Sequence, residues 1–129
     1  MPFTWEVRIR FVDTDASGRI HYTAMFRYFE AAEFEFLRAG GAPYNDFPDY
    51  GFPRVHVECD YKAATRSDDL LAIIVEVAHL GNSSFTLGFR ALSTDSRDVA
   101  QGKITVVCLS KDSGKPVPIP DAMRRALVS

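Results

Sequence analysis

Residues 23–39 read TAMFRYFEAAEFEFLRA. At 100° per residue Met25, Phe29, Ala32 and Phe36 share one face, with Phe26 and Leu37 beside them, so the spacing predicts an amphipathic helix. Thr23 is placed to cap its start, and Gly40-Gly41 followed by Pro43 ends it. At 1.5 Å per residue such a helix is about 25 Å long. Its apolar face is wide, which suits a helix wrapped by a sheet. Glu33 falls near the middle of that face. A carboxylate there is costly unless paired or protonated, so Glu33 is expected to be bonded beneath the wrap or at a subunit contact.

Outward from the helix the period changes from 3.6 to 2. Upstream, WEVRIRF (5–11) alternates, with Val7, Ile9 and Phe11 on one face and Arg8 and Arg10 on the other, as in a half-buried strand. Downstream, from Arg54, Val55, Val57, Cys59 and Tyr61 alternate with His56, Glu58 and Asp60. LLAIIVEVA (70–78) is apolar on both faces at first, as in a central strand. Gly81-Asn82 marks a turn. Across 84–92, Phe85, Leu87, Phe89 and Ala91 oppose Ser84, Thr86, Gly88 and Arg90. Residues 99–109 form the last strand, with Gly102 expected as a bulge or bend, and DAMRRAL a short terminal helix. One strand, a long helix and four more strands predict an α+β fold: an antiparallel sheet of about five strands around one central helix. A hotdog fold and a cystatin- or cone-like fold both fit this order. The Phe residues of helix and strands are expected mostly in the core. Phe47, Tyr50 and Phe52, in the loop after the helix, are expected as a lid or pocket wall or as packing alone.

The chain has 129 residues, 47% hydrophobic and 25% charged, which suits a single domain over 1–129. Cys59 and Cys108 belong to no CxxC or Cys/His cluster, which argues against a disulfide scaffold or a zinc module, and they alternate with apolar neighbours, so buried inert thiols are expected. Fifteen basic residues against seventeen acidic ones leave a net charge of −2, and with no basic stripe nucleic acid is a poor partner. MPFTWEVRIRF lacks the apolar stretch of a signal peptide, and no apolar run approaches the ~20 residues of a membrane span. A cytoplasmic location is the expectation. His56 and His79 fall in predicted strands, away from the chemistry below.

The polar residues most out of place are Asp13, Asp15, His21 and Tyr22, between the first strand and the helix. Asp13-Thr14-Asp15 suits an Asx-turn. No EF-hand pattern or matching His pair follows, so no metal is expected. A helix N-terminus presents free N–H groups and partial positive charge. Such donors polarise a carbonyl, and a nearby carboxylate can attack that carbon or activate a water.

FVDTDASGRIHYTAMFRYFEAAEFEFLRAGG resembles the N-terminal signature of the 4-hydroxybenzoyl-CoA thioesterase / YbgC-like acyl-CoA thioesterases. Asp13, Asp15, Gly18, Ile20, Tyr28 and Glu30 fall in register with it. YKAATRSDDLLAI and SSFTLGFR are similar to later family segments. The resemblance implies a hotdog fold and an acyl-CoA thioesterase without metal or redox cofactor, CoA being part of the substrate. It implies Asp15 as the catalytic carboxylate, nucleophile or general base, with Asp13 in support. Gly18 would allow the tight turn, and backbone N–H groups of Tyr22, Thr23 and Ala24 would polarise the thioester. Tyr22 stands where many relatives carry His, and with His21 would position substrate; Ala24 replaces the usual Asn. The family's phosphate-binding basic cluster is here Gly81-Asn82-Ser83, which leaves Lys62, Arg66 and Arg90 as candidate cations on spacing. A homodimer within a homotetramer is implied as well. A carrier-protein thioester is an alternative substrate. A catalytic Glu33, a hydratase on the same fold, and a non-catalytic acyl-CoA- or lipid-binding module are the rival readings.

Overall fold

The computed structural model describes residues 2–128. In chain order the elements are strand β1 (Phe3–Arg8), a 3-10 turn (Phe11–Asp13), helix α1 (Ala24–Ala39), a second 3-10 turn (Tyr44–Asp46), and strands β2 (Tyr50–Gly51), β3 (Arg54–Tyr61), β4 (Leu70–Leu80), β5 (Ser84–Leu92), β6 (Asp98–Val107) and β7 (Leu109–Ser110). Helix α2 (Asp121–Val128) follows. Five strands form one antiparallel sheet in the order β1-β4-β5-β6-β3, while β2 and β7 pair apart from it. The long helix lies on one face of that sheet, which is the hotdog arrangement.

The helical face reads largely as its spacing predicts, except that Phe36 is only half-buried, tilted against Phe3 with centroids 5.8 Å apart. Met25, Phe29, Ala32 and Leu37 are buried against Leu71, Ile73 and Val75 of β4 and Phe85, Leu87 and Phe89 of β5. Phe29 stacks on Phe89 with centroids 4.8 Å apart. Each of the large side chains contributes about 1.5–3 kcal/mol by leaving water. Gly41, at φ +81°, makes the turn that stops α1, and Gly40 lets α2 approach, since a Cβ there would stand 2.7 Å from that of Ala126.

Four expectations are corrected. Gly102 is not a bulge: the register of β6 runs through it on both sides. It is needed because a Cβ would lie 2.5 Å from the Glu58 carbonyl and 2.7 Å from Phe29 Cε2. Phe11 does not share the core face with Ile9. Ile9 is tied to the segment before β4, through its N–H to Asp69 O at 2.9 Å and its carbonyl from Asp68 N–H at 2.6 Å. The chain then turns, leaving Phe11 83% and Val12 69% exposed. Phe34 is partly exposed and packs on Tyr44. Cys108 is buried, with burial pushing its thiol up to about 11, but Cys59 is only half-buried.

Strand β3 is an edge of the sheet. A register shift between Arg54 and His56 turns Arg54 toward the helix side, opposite the buried Val106. Val55, Val57 and Tyr61 remain exposed along this edge. Arg54 reaches the fully buried Glu33, its Nη2 lying 2.5 Å from Oε2, and Tyr44 OH donates to the same oxygen. Glu33 is therefore bonded within its own subunit. Burial pushes its carboxyl up, and the Arg54 charge and the Tyr44 bond oppose that shift.

Candidate active site

The segment between β1 and α1 folds into a small hairpin in which Thr14 bridges Ile20. Asp15 N–H donates to Arg19 O at 2.8 Å, and Gly18 N–H to Asp15 O at 3.0 Å. Gly18 has φ +82°, a conformation that favours glycine. The Asp15 carboxylate accepts the Ser17 Oγ–H at 2.5 Å and the Ser17 N–H at 2.8 Å. These bonds hold its carboxyl below the usual range, so it is ionised at neutral pH. It is open to solvent.

Asp13 points inward. It accepts from Tyr28 OH at 2.6 Å and from the Arg27 guanidinium, and Tyr28 OH in turn accepts Arg10 N–H at 3.0 Å. Desolvation pushes the Asp13 carboxyl up, but the bonds from Tyr28 and Arg27 and the Arg27 charge outweigh it and the net shift is downward. Asp13 thus ties the hairpin to the first turns of α1.

His21 organises the helix start. Its carbonyl accepts Ala24 N–H at 2.9 Å, and its Nδ1 accepts Thr23 N–H at 3.2 Å and lies 2.8 Å from Thr23 Oγ1. The Thr23 hydroxyl therefore serves His21 and makes no capping bond to α1. Two of the three N–H groups expected as oxyanion donors already have acceptors. That of Tyr22 has none among the described residues. The Tyr22 ring stacks on His21 at 4.7 Å, and its carbonyl accepts the Tyr61 hydroxyl. Burial, with the nearby Cys59, pushes the Tyr61 hydroxyl up to about 12, so it stays protonated and donating.

A cleft of about 420 Å³ opens here, lined by Asp15, Ser17, Arg19 and Tyr22 from the hairpin and by Tyr61 and Lys62 from the end of β3. The structure therefore brings Asp15, Tyr22 and Lys62 together. Arg66 stands next to the cleft through its bridge to Arg19. Gly18, His21, Thr23 and Ala24 form the frame rather than the wall. Arg90 is elsewhere: it lies on the sheet face turned away from α1, in a separate hollow, with Nη2 3.0 Å from Asp98 Oδ1. Ser17, Arg19 and Tyr61 escaped the reading of the sequence. Ser17 had a signal, a hydroxyl two residues after an aspartate in a turn. Tyr61 had a weaker one, a polar tip ending an alternating strand. His56 pairs with Glu58 at 3.0 Å, away from the cleft. Among the described residues no group of three or more His, Cys, Asp or Glu could hold a metal ion, and no helix is long and apolar enough to cross a membrane.

An Aquifex aeolicus chain is 35% identical over 130 residues, 98% of each protein. The acyl-CoA thioester hydrolase YbgC of Escherichia coli is 25% identical over 128 residues, covering 94% of this chain and 92% of that one. The solved structure of a gentisyl-coenzyme A thioesterase superposes with a TM-score of 0.88 at 28% identity, over 97% of this chain and 99% of the other. Residues 9–127 match the family model of the thioesterase-like superfamily, and the chain belongs to that family.

Proposed function

We propose that the protein hydrolyses an acyl-CoA thioester to a carboxylic acid and free CoA. The observation that carries this reading is the Asp15 carboxylate, ionised and open to a cleft beside the start of α1, in a chain of this family. The unengaged Tyr22 N–H, close to the positive end of the helix, is suited to hold the oxygen on which charge develops. Two routes use the same carboxylate. As a general base, Asp15 takes a proton from water, the hydroxide adds to the carbonyl carbon, and the carbon–sulfur bond breaks as the thiolate leaves and is protonated. As a nucleophile, it forms a mixed anhydride as the thiolate leaves, and water then cleaves the anhydride. Neither route needs a metal or a redox cofactor. Arg19 and Lys62 in the cleft, with Arg66 beside it, are the cations suited to CoA phosphates.

The unit that works is a homodimer, and two dimers form a homotetramer in the cytoplasm. The support for the dimer is β3, an edge strand carrying exposed Val55 and Val57. A lone soluble domain protects such an edge with charge, proline or cover. A second copy would extend the sheet and cover these residues.

The test offers a panel of short-chain, long-chain and aromatic acyl-CoAs and measures free thiol. Wild type should hydrolyse at least one class, and Asp15→Asn should lose about a hundredfold or more. Full activity in Asp15→Asn would sink the mechanism. Binding without turnover across the panel would favour an acyl-CoA-binding module.

A further inference from the structure

A hydrogen-bond donor stabilises a developing charge when its direction is set beforehand, because turning toward the charge during the reaction forfeits the gain. The Tyr22 N–H, which has no acceptor among the described residues, is aimed by the two peptide planes that meet at the Tyr22 Cα. The first plane runs from His21 to Tyr22. The Tyr22 N–H stands at one end of it, and the carbonyl at the other end accepts Ala24 N–H at 2.9 Å. The second plane runs from Tyr22 to Thr23. Its N–H donates to His21 Nδ1 at 3.2 Å, and its carbonyl accepts the Tyr61 hydroxyl. The Tyr22 ring itself is 67% exposed and anchors little.

His21, Thr23 and Ala24 belong to the same short segment as Tyr22 and move with it. Tyr61 stands 39 residues further along the chain, so its bond is the one of these that ties the two planes to the sheet. Tyr61 is itself firmly seated. It ends β3 opposite the buried Ala100, and the next two N–H groups, of Lys62 and Ala63, both donate to Val99 O, at 2.8 and 3.2 Å. The chain beyond it holds the hairpin as well, since Ile20 N–H donates to Thr65 O at 2.9 Å. Tyr61 and Tyr22 line the same cleft as Asp15. Without the Tyr61 hydroxyl the second plane keeps only its tie to the His21 ring. A displacement of about 1 Å at a reacting centre costs about a hundredfold in rate, so a loosened donor is felt in the chemistry.

We propose that Tyr61 is a positioning residue for hydrolysis: its hydroxyl, donating to the Tyr22 carbonyl, holds the Tyr22 N–H aimed at the thioester oxygen. The hydroxyl proton is engaged by that carbonyl, so Tyr61 acts through Tyr22 and not on the thioester. This role rests on the reading of the cleft as the thioester-cleaving site.

Tyr61→Phe tests it, because the ring stays and one hydroxyl goes. The substrate is the acyl-CoA that wild type hydrolyses fastest in the panel above. Removing an oxyanion donor outright costs about a hundredfold or more in kcat, and loosening its support costs a part of that. Tyr61→Phe should therefore lower kcat about tenfold with KM within about threefold, the pattern of an interaction realised in the transition state. A purely structural hydroxyl would lower the melting point and leave kcat unchanged, and a hydroxyl that binds substrate would raise KM and leave kcat unchanged. Either result overturns the proposal. The thioester carbonyl supplies a second readout. Asp15→Asn protein is saturated with the same acyl-CoA carrying carbon-13 at that carbonyl, and its infrared stretch should lie below the value in buffer. Adding Tyr61→Phe should shrink that displacement. No displacement in Asp15→Asn, or an equal one in the double variant, overturns the role of Tyr61. Wild type that releases no thiol from any acyl-CoA overturns the thioesterase reading and this role with it. Wild type that releases thiol no faster than Tyr61→Phe overturns the role of Tyr61 and leaves the thioesterase reading standing.

Discussion

Asp13 and Asp15 are two positions apart in one loop and their carboxylates do opposite things. Asp13 faces the protein and is spent on Tyr28 and Arg27, whereas Asp15 faces the cleft and is held chiefly by Ser17. Both carboxyls lie below the ordinary value of 3.8, with consequences that two variants separate. For Asp13, a folded value below the unfolded one stabilises the fold above about pH 4, and that stability is lost as pH falls through the folded value. Asp13→Asn should therefore cost about 1–3 kcal/mol near neutrality. Thermal melts at successively lower pH should show the gap to wild type closing below about pH 4. For Asp15, the hydroxyl of Ser17 is the largest cause of the downward shift. Ser17→Ala should move the acid limb of kcat/KM to higher pH with the neutral plateau nearly kept. An unmoved limb would mean that Asp15 is not the titrating group. Much at this scale was legible from spacing: the turn, the two carboxylates and the helix start lie within one short segment. The Tyr61 bond to the Tyr22 carbonyl was not, because it depends on where the end of β3 arrives in space.

Among the elements, β3 and β5 have the bounds that their alternation suggests; in β5 one face is buried and the other is not, whereas in β3 the alternating apolar residues Val55, Val57 and Tyr61 stay exposed at the sheet edge. The same alternation places Arg90 on the face opposite Phe89, so the sequence already held the means to exclude it from the cleft; spacing from the family signature obscured this. The two-residue ladder of β2 and β7 left no periodic trace, being too short to show one. Gly102 was visible as an anomaly, but its reason lies in α1, where Phe29 occupies the volume a side chain would need. Gly102→Ala forces Phe29 off its stack with Phe89 or shifts the β3 backbone. Such overpacking costs about 1–3 kcal/mol, and calorimetry should show a melting point lowered by several degrees. A neutral result would show that helix and sheet can slide apart locally.

For the whole molecule, β3 leads to the sharpest expectation. A lysine placed at the middle of an unpaired edge is compatible with a monomer and hostile to edge pairing. On the proposed β3 pairing, Val57→Lys should shift the protein to a smaller sedimenting species and depress thiol release in parallel. A monomer with full activity would refute the shared assembly. Composition suggests one self-sufficient domain, and the exposed valines of β3 are what supports the proposed pairing between chains.

The strand order also governs when this protein can fold. Among the described residues of one chain β1 pairs with β4, so Arg8 waits for Leu70, and β3 pairs with β6. On a ribosome adding about 5–20 residues per second, the first strand and the long helix emerge several seconds before the strands that cover them. During that interval Met25, Phe29 and Leu37 have no sheet to rest on. The nascent chain thus passes through a stage in which its most apolar helix is bare, and chaperone demand should peak before β4–β6 emerge from the exit tunnel.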